Sequence, residues 1–190
     1  MRSAVLAILC LAASSGAVAA AKGPPPPPDP EDYADSGFGW ELTLHTLLNF
    51  SYHEPGGGVG FQLAWPVVPN GFIPREDFRD ALLLEGGLDY TYLPVARPGA
   101  DWGYHFLSFL AGARYTVYVH DVLAPFVAVK IGYGAGLWEG DGGQASTRHV
   151  FDWATTLGLL WDFAEWASLR VELGYGQLHE VIRLGVDFRF

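Results

Sequence analysis

Cysteine is all but absent: Cys10 stands alone in 190 residues. No intramolecular disulfide can form, and no thiol-based metal or redox centre is available. Basic charge is scarce as well. Eleven Lys and Arg oppose 21 Asp and Glu, a formal net charge of −10, which excludes a nucleic-acid partner held through phosphate contacts. Helical periodicity is missing from residue 38 onward, and the only repeat is a period of two.

The first residues carry a different signal. Arg2 precedes an apolar run over residues 4–11, followed by the small residues AASSGAVAAA. The A-x-A patterns at Ala17–Ala19 and Ala19–Ala21 complete the form of a secretory signal peptide, expected over residues 1–21. Cys10 lies inside the apolar core of that signal, directly after Leu9. That is too early for a lipoprotein cleavage site, so the mature chain is expected to contain no thiol. Residues 22–37 form a Pro-rich acidic leader, with five consecutive prolines at 24–28 that favour extended polyproline II. The folded domain is expected over residues 38–190.

Eight segments of that domain alternate apolar with polar or small residues. In the first, Trp40, Leu42, Leu44, Leu48, Phe50 and Tyr52 share one face, opposite Glu41, Thr43, His45 and Asn49. The fifth opposes Val127, Val129, Ile131, Tyr133 and Leu137 to Lys130, Gly132, Gly134 and Gly136. The sixth sets Phe151, Trp153, Leu157, Leu159 and Trp161 against Asp152, Ala154, Thr156 and Gly158. The eighth, IRLGVDFRF, places Ile182, Leu184, Val186, Phe188 and Phe190 opposite Arg183, Gly185, Asp187 and Arg189. Turn signals separate the segments: EPGGG, PNG, PVARPGAD, HD, EGDGGQ, DFAEW and QLHE. Eight strands joined by such links predict an all-β fold, an antiparallel up-and-down meander closed into a barrel.

Alternation alone does not decide which face looks inward, since a soluble ligand-binding barrel buries its apolar face and a membrane barrel exposes it. Volume decides. The apolar face carries on the order of forty mostly bulky side chains, and an eight-stranded barrel has an interior just wide enough for its side chains to fill, so that set could not fit inside. Gly60, Gly87, Gly112, Gly132, Gly134, Gly136, Gly158, Gly174 and Gly185 all fall on the polar face. The polar face is therefore expected inside and the apolar face against lipid. Trp40 and Tyr52, both outward, lie roughly 28 Å apart along a tilted strand, close to the hydrocarbon thickness. Phe151 and Trp161 bracket the sixth segment in the same way, as aromatic girdles do. Together these features predict an outer-membrane barrel.

The inward charges nearly balance. Glu41, Glu85, Asp89, Asp152, Glu172 and Asp187 are acidic, and Arg114, Lys130, Arg170, Arg183 and Arg189 are basic. Buried charges must be paired, so cross-strand ion pairs and a plugged lumen are expected. No catalytic set emerges. His105 and Ser108 point to opposite faces of one strand, His45 belongs to the polar core, and Asp141, Ser146 and His149 share a link read as a loop. Nucleophilic catalysis requires convergence of such groups. The EGDGG loop lacks the ligand spacing of a calcium loop, so neither metal nor cofactor is expected.

From about Phe38 to Phe190 the chain resembles the small outer-membrane β-barrel family typified by the transmembrane domain of outer membrane protein A. The resemblance rests on the eight alternating segments, on APFVAVKIGYGAG and on the terminal phenylalanine. It implies that Phe188, Phe190 and the positions before them form the signal read by the barrel-assembly machinery. It also implies a monomer in contact with outer-membrane lipid. No peptidoglycan-binding domain follows the barrel segment, so wall anchoring is not implied. Both chain ends are expected in the periplasm, with the links near 53–58, 94–102, 139–149 and 177–180 facing outward. The link over residues 67–80 is unusually long for the periplasmic side. It suggests a cap on the barrel mouth, with a brief helix from Pro74. The expected role is structural or surface-exposed and non-enzymatic; the alternatives are a narrow channel for ions or small solutes and a lipid-modifying enzyme.

Overall fold

Period-two alternation over the whole domain gives eight strands in the computed structural model: β1 (Glu41–Asn49), β2 (Gly56–Val68), β3 (Arg79–Arg97), β4 (Ala100–Tyr118), β5 (Leu123–Glu139), β6 (Ala145–Ala164), β7 (Ala167–Gly176) and β8 (Val181–Arg189). The structure describes residues 39–50, 55–69, 71–73, 79–97, 100–139, 145–177 and 180–190. The expected signal peptide and leader, Tyr52, Asp141 and the helix expected from Pro74 lie outside the described residues.

Every strand pairs antiparallel with its sequence neighbour, and β1 pairs with β8 to close the barrel. The closing seam runs from Glu41↔Arg189 to Asn49↔Val181 without a register shift. It is extended by the Phe190 N–H donating to the Trp40 carbonyl at 3.0 Å and the Phe50 N–H donating to Glu180 at 2.7 Å. A closed ladder satisfies the strand backbone without water, which is what a bilayer demands.

The bulky face is outside. Leu44, Leu63, Leu84, Phe109, Val129, Ile131, Leu157 and Leu184 are all exposed, whereas Glu41, Thr43, Glu85, Arg114, Lys130, Asp152, Arg170 and Asp187 are buried. Trp40, Trp65, Trp161, Phe163 and Trp166 ring the terminal end, where β1 begins and β8 ends. Tyr90, Tyr92, Tyr133, Phe151, Trp153 and Tyr175 ring the far end. Trp40 stacks on Trp65 at 5.5 Å, and Trp153 meets Tyr175 edge-on at 6.1 Å.

Strands β3 to β6 run further than their sequence suggests. Residues 94–102 are not a loop: β3 reaches Arg97 and pairs it with Ala100 of β4. The 139–149 link is likewise shorter, because β6 already begins at Ala145. Pro94 misled the reading because proline is excluded only from strands paired on both sides. The β2 ladder ends at Tyr92, so Pro94 sits in an edge. In the same way, β6 before Trp153 pairs only with β5. At the terminal end β6 continues to Ala164, leaving only Glu165 and Trp166 as the turn in DFAEW.

The lumen is not polar throughout. Leu83, Phe126, Leu160, Tyr118, Ala64, Ala81 and Ala124 form a buried apolar cluster inside the barrel. Three inward glycines make room for two rings: Phe126 lies directly opposite Gly158, and Phe106 lies opposite Gly136 and against Gly134. A Cβ at Gly158 would sit 2.1 Å from the Phe126 ring. Gly158→Val is therefore expected to destabilise the barrel by about 1–3 kcal/mol through overpacking. Combined with Phe126→Ala it should cost less than the two changes summed. Urea unfolding of the lipid-embedded protein measures the coupling, and strict additivity would contradict this packing.

Candidate functional site

Strand alternation and the narrow bore bring inward charges from six strands together in one web. Glu172 of β7 is its hub. Its Oε2 accepts from Arg170 Nη2 at 2.7 Å and Nε at 3.0 Å, and its Oε1 accepts from Arg183 Nη1 at 2.7 Å. Across the bore, Glu85 of β3 holds Lys130 Nζ at 2.7 Å and lies 3.3 Å from Arg170 Nη2. Lys130 also donates to Gln62 Oε1 at 3.1 Å. Arg114 of β4 pairs with Glu41, with Glu85 at 3.5 Å and with Asp187 at 3.7 Å. At the far end of the web Asp89 accepts from Arg183 Nη2 at 2.8 Å and from His45 Nε2 at 2.8 Å. Accepting that bond fixes the His45 tautomer with its proton on Nε2.

The Phe126 ring lies beneath the web, with the Arg170 guanidinium 4.5 Å and that of Arg114 5.5 Å from its centroid. Such cation–π contacts gain strength when the cation is desolvated, and here it is: Arg114, Arg170 and Arg183 are 0–2 % exposed. Five carboxylates (Glu41, Glu85, Asp89, Glu172, Asp187) face four cations (Arg114, Lys130, Arg170, Arg183). These nine groups carry a net charge of −1, which keeps mutual repulsion small. A void of about 10 Å³ beside Gln62, Glu85, Asp89 and Lys130 has room for roughly one water. The bore is thus packed shut at this level.

The other residues of the inward set lie apart from this web. Arg189 forms its short contacts elsewhere: at the terminal mouth it grips Asp162 with both guanidinium nitrogens, at 2.8 and 2.6 Å, and comes no closer than 4.0 Å to Glu41. Ser168 and Tyr118 complete that second cluster, donating to Asp162 at 2.6 and 2.8 Å. Asp152 is buried and accepts the Trp153 N–H at 2.9 Å. Sequence reading missed Asp162 because DFAEW reads as a turn; its even spacing from Asp152, Thr156 and Leu160 was the available signal. Phe188 faces outward and stacks on Trp166 at 6.1 Å, while Phe190 is exposed.

Among the described residues, groups that could serve catalysis do not converge. Ser108 is buried on the inner wall. His105 lies outside, its Nδ1 2.6 Å from the Tyr90 hydroxyl and its ring 5.1 Å from Tyr92. Ser146 and His149 belong to strand β6, and the His149 ring stacks on Tyr133 at 5.5 Å. Among the described residues no three His, Cys, Asp or Glu side chains group as metal ligands would.

The chain matches no protein-family model and no curated protein. Solved structures share its architecture. Ail, the attachment invasion locus protein of Yersinia pestis, matches with a TM-score of 0.51 at 15 % identity over 80 % of this chain and 99 % of its own. Neisserial surface protein A matches at 0.50 and 13 % identity, over 81 % and 97 %. The outer membrane enzyme PagL matches at 0.50 and 18 % identity, over 79 % and 99 %. The fold is that of the small eight-stranded outer-membrane β-barrels. Its apolar wall and aromatic girdles make this chain an outer-membrane barrel too.

Removing a carboxylate from the web leaves cations buried without their counter-charge. Glu172→Gln is expected to destabilise the folded barrel by about 3–5 kcal/mol. Equilibrium urea unfolding in lipid vesicles measures it; a change within about 0.5 kcal/mol, as at ordinary surface sites, would remove Glu172 from the hub.

Proposed function

We propose that the protein is a structural or surface-exposed component of the outer membrane that neither conducts nor catalyses. The observation that carries this reading is the closed bore: three arginines spanning the lumen are shielded from water on all sides. A diffusion path would have to hydrate them and separate several ion pairs at once. The alternation of β8 and the outward Phe188 and Phe190 support its reading as the segment recognised by the barrel-assembly machinery. The residues at 1–21 and 22–37 act, in this reading, as a cleaved signal peptide and a stiff leader. The mature barrel functions as a monomer, with lipid as its main partner.

In the same reading the terminal end lies in the periplasm and the β3–β6 wall stands outward. The stretch of β6 before Trp153 rises roughly 20 Å beyond the last β7 pairing at a tilt near 45°. This raised wall favours a surface role, because it presents backbone and side chains beyond the membrane without a long flexible loop. Ail and Neisserial surface protein A are surface or attachment proteins by name, and PagL is an enzyme; that spread on one fold shows why architecture alone does not assign activity.

Planar-bilayer recording on the purified barrel should show no discrete conductance steps, and lipid A from cells with and without the gene should be identical. Reproducible unitary steps would establish the channel instead, and loss or gain of an acyl chain would establish the lipid-modifying enzyme.

A further inference from the structure

On a wall where Trp65, Val67, Leu84 and Val119 are exposed, one carboxylate stands out. Asp80 occupies the outward register of β3, opposite Val117, yet is only 1 % exposed. Residues 71–73, between β2 and β3, cover it. Asp80 Oδ2 accepts the Phe72 N–H at 2.8 Å and the Tyr115 hydroxyl at 2.5 Å. The Phe72 ring rests 6.2 Å from that of Tyr115. Gly71 makes the approach feasible. It adopts φ +62°, and a Cβ there would lie 1.9–2.1 Å from the carboxyl atoms of Asp80. Residues 71–73 thus lie against the outer wall, where the sequence suggested a cap over the mouth.

We propose that residues 71–73 form a lipid-interface anchor. Asp80 straps it to the barrel wall, so that Phe72 and Ile73 insert among phospholipids of the leaflet at the terminal end. Both side chains are exposed, 63 % and 39 %, the Phe72 ring lying beside Tyr115, and they continue the apolar belt of Trp65, Val67 and Val119. A soluble loop has no reason to turn them outward, whereas the boundary between headgroups and acyl chains accepts such residues. The carboxylate suits the task because it supplies an acceptor to a backbone N–H that water would otherwise have to satisfy close to lipid. Its own burial beneath residues 71–73 keeps its charge out of the hydrocarbon, where it would be destabilising. The inference goes beyond the proposed role and rests only on the barrel lying in a membrane.

The test uses the full chain with Cys10→Ser and Ile73→Cys, the new thiol carrying an environment-sensitive nitrobenzoxadiazole label. The protein is folded into phosphatidylethanolamine–phosphatidylglycerol vesicles. Heat-modifiable gel migration reports insertion independently, so failure of the membrane reading and failure of the anchor are told apart. With the barrel folded, the label should emit blue-shifted and be quenched by nitroxide carried at the lipid headgroup more than by a water-soluble quencher. Adding Asp80→Ala should reverse that preference while migration stays that of a folded barrel. Preferential quenching from water in the Asp80 protein would overturn the anchor, as would crosslinking to a second copy at this site. Unchanged lipid quenching in the folded Asp80→Ala protein would overturn the strap.

Discussion

Glu85 and Glu172 face one another across the bore, and Lys130 and Arg170 lie between them. This arrangement is the constraint around which the barrel is built. A soluble domain obtains its core from apolar burial, but here the apolar side chains are committed to lipid and the interior must be closed by other means. Ion pairs inside a low-dielectric bore interact strongly, provided that each charge has several partners. The hubs meet that condition: Glu172 binds Arg170, Arg183 and Lys130, and Arg170 in turn reaches Glu85, Glu172 and Asp187. Long side chains crossing the bore also fill it, which is why glycines line the same wall.

The apolar layer formed by Leu83, Phe126 and Leu160 adds a second principle. It lies between most of the ion pairs and the Asp162–Arg189 cluster at the mouth, with Glu41 alone of the web reaching within 4.0 Å of Arg189. Phe126 touches both systems, offering its face to Arg170 while packing into the space left by Gly158. The seal is therefore layered, with charges, a ring of carbon, and a polar mouth in succession.

Strand number, the outward apolar face and the inward charges were legible because period two is a direct consequence of the pleat. The partners within the lumen were less legible. Which anion meets which cation depends on the tilt and stagger of the strands, and a sequence does not display shear. Asp162 escaped because its neighbours spell a turn. Phe126 escaped because it looks like an exception to a polar face until its cross-strand partner, Gly158, is known. Pro94 hid the length of β3, since one unpaired edge tolerates what a doubly paired strand would reject. Asp80 could not be read at all: its meaning lies in residues 71–73, which fold back over the outer wall.

The central claim is that the lumen is sealed around Lys130. Two lysines occur in the entire chain, Lys22 and Lys130, so amine chemistry reports on that point directly. Native barrels in membranes would be treated with an excess of a small water-soluble acylating reagent, then unfolded, digested and mapped by mass spectrometry. The peptide containing Lys130 should remain unmodified in the folded protein and react once the barrel is unfolded. Acylation of Lys130 in the folded barrel, at a rate near that of Lys22 or a free model amine, would contradict the sealed lumen.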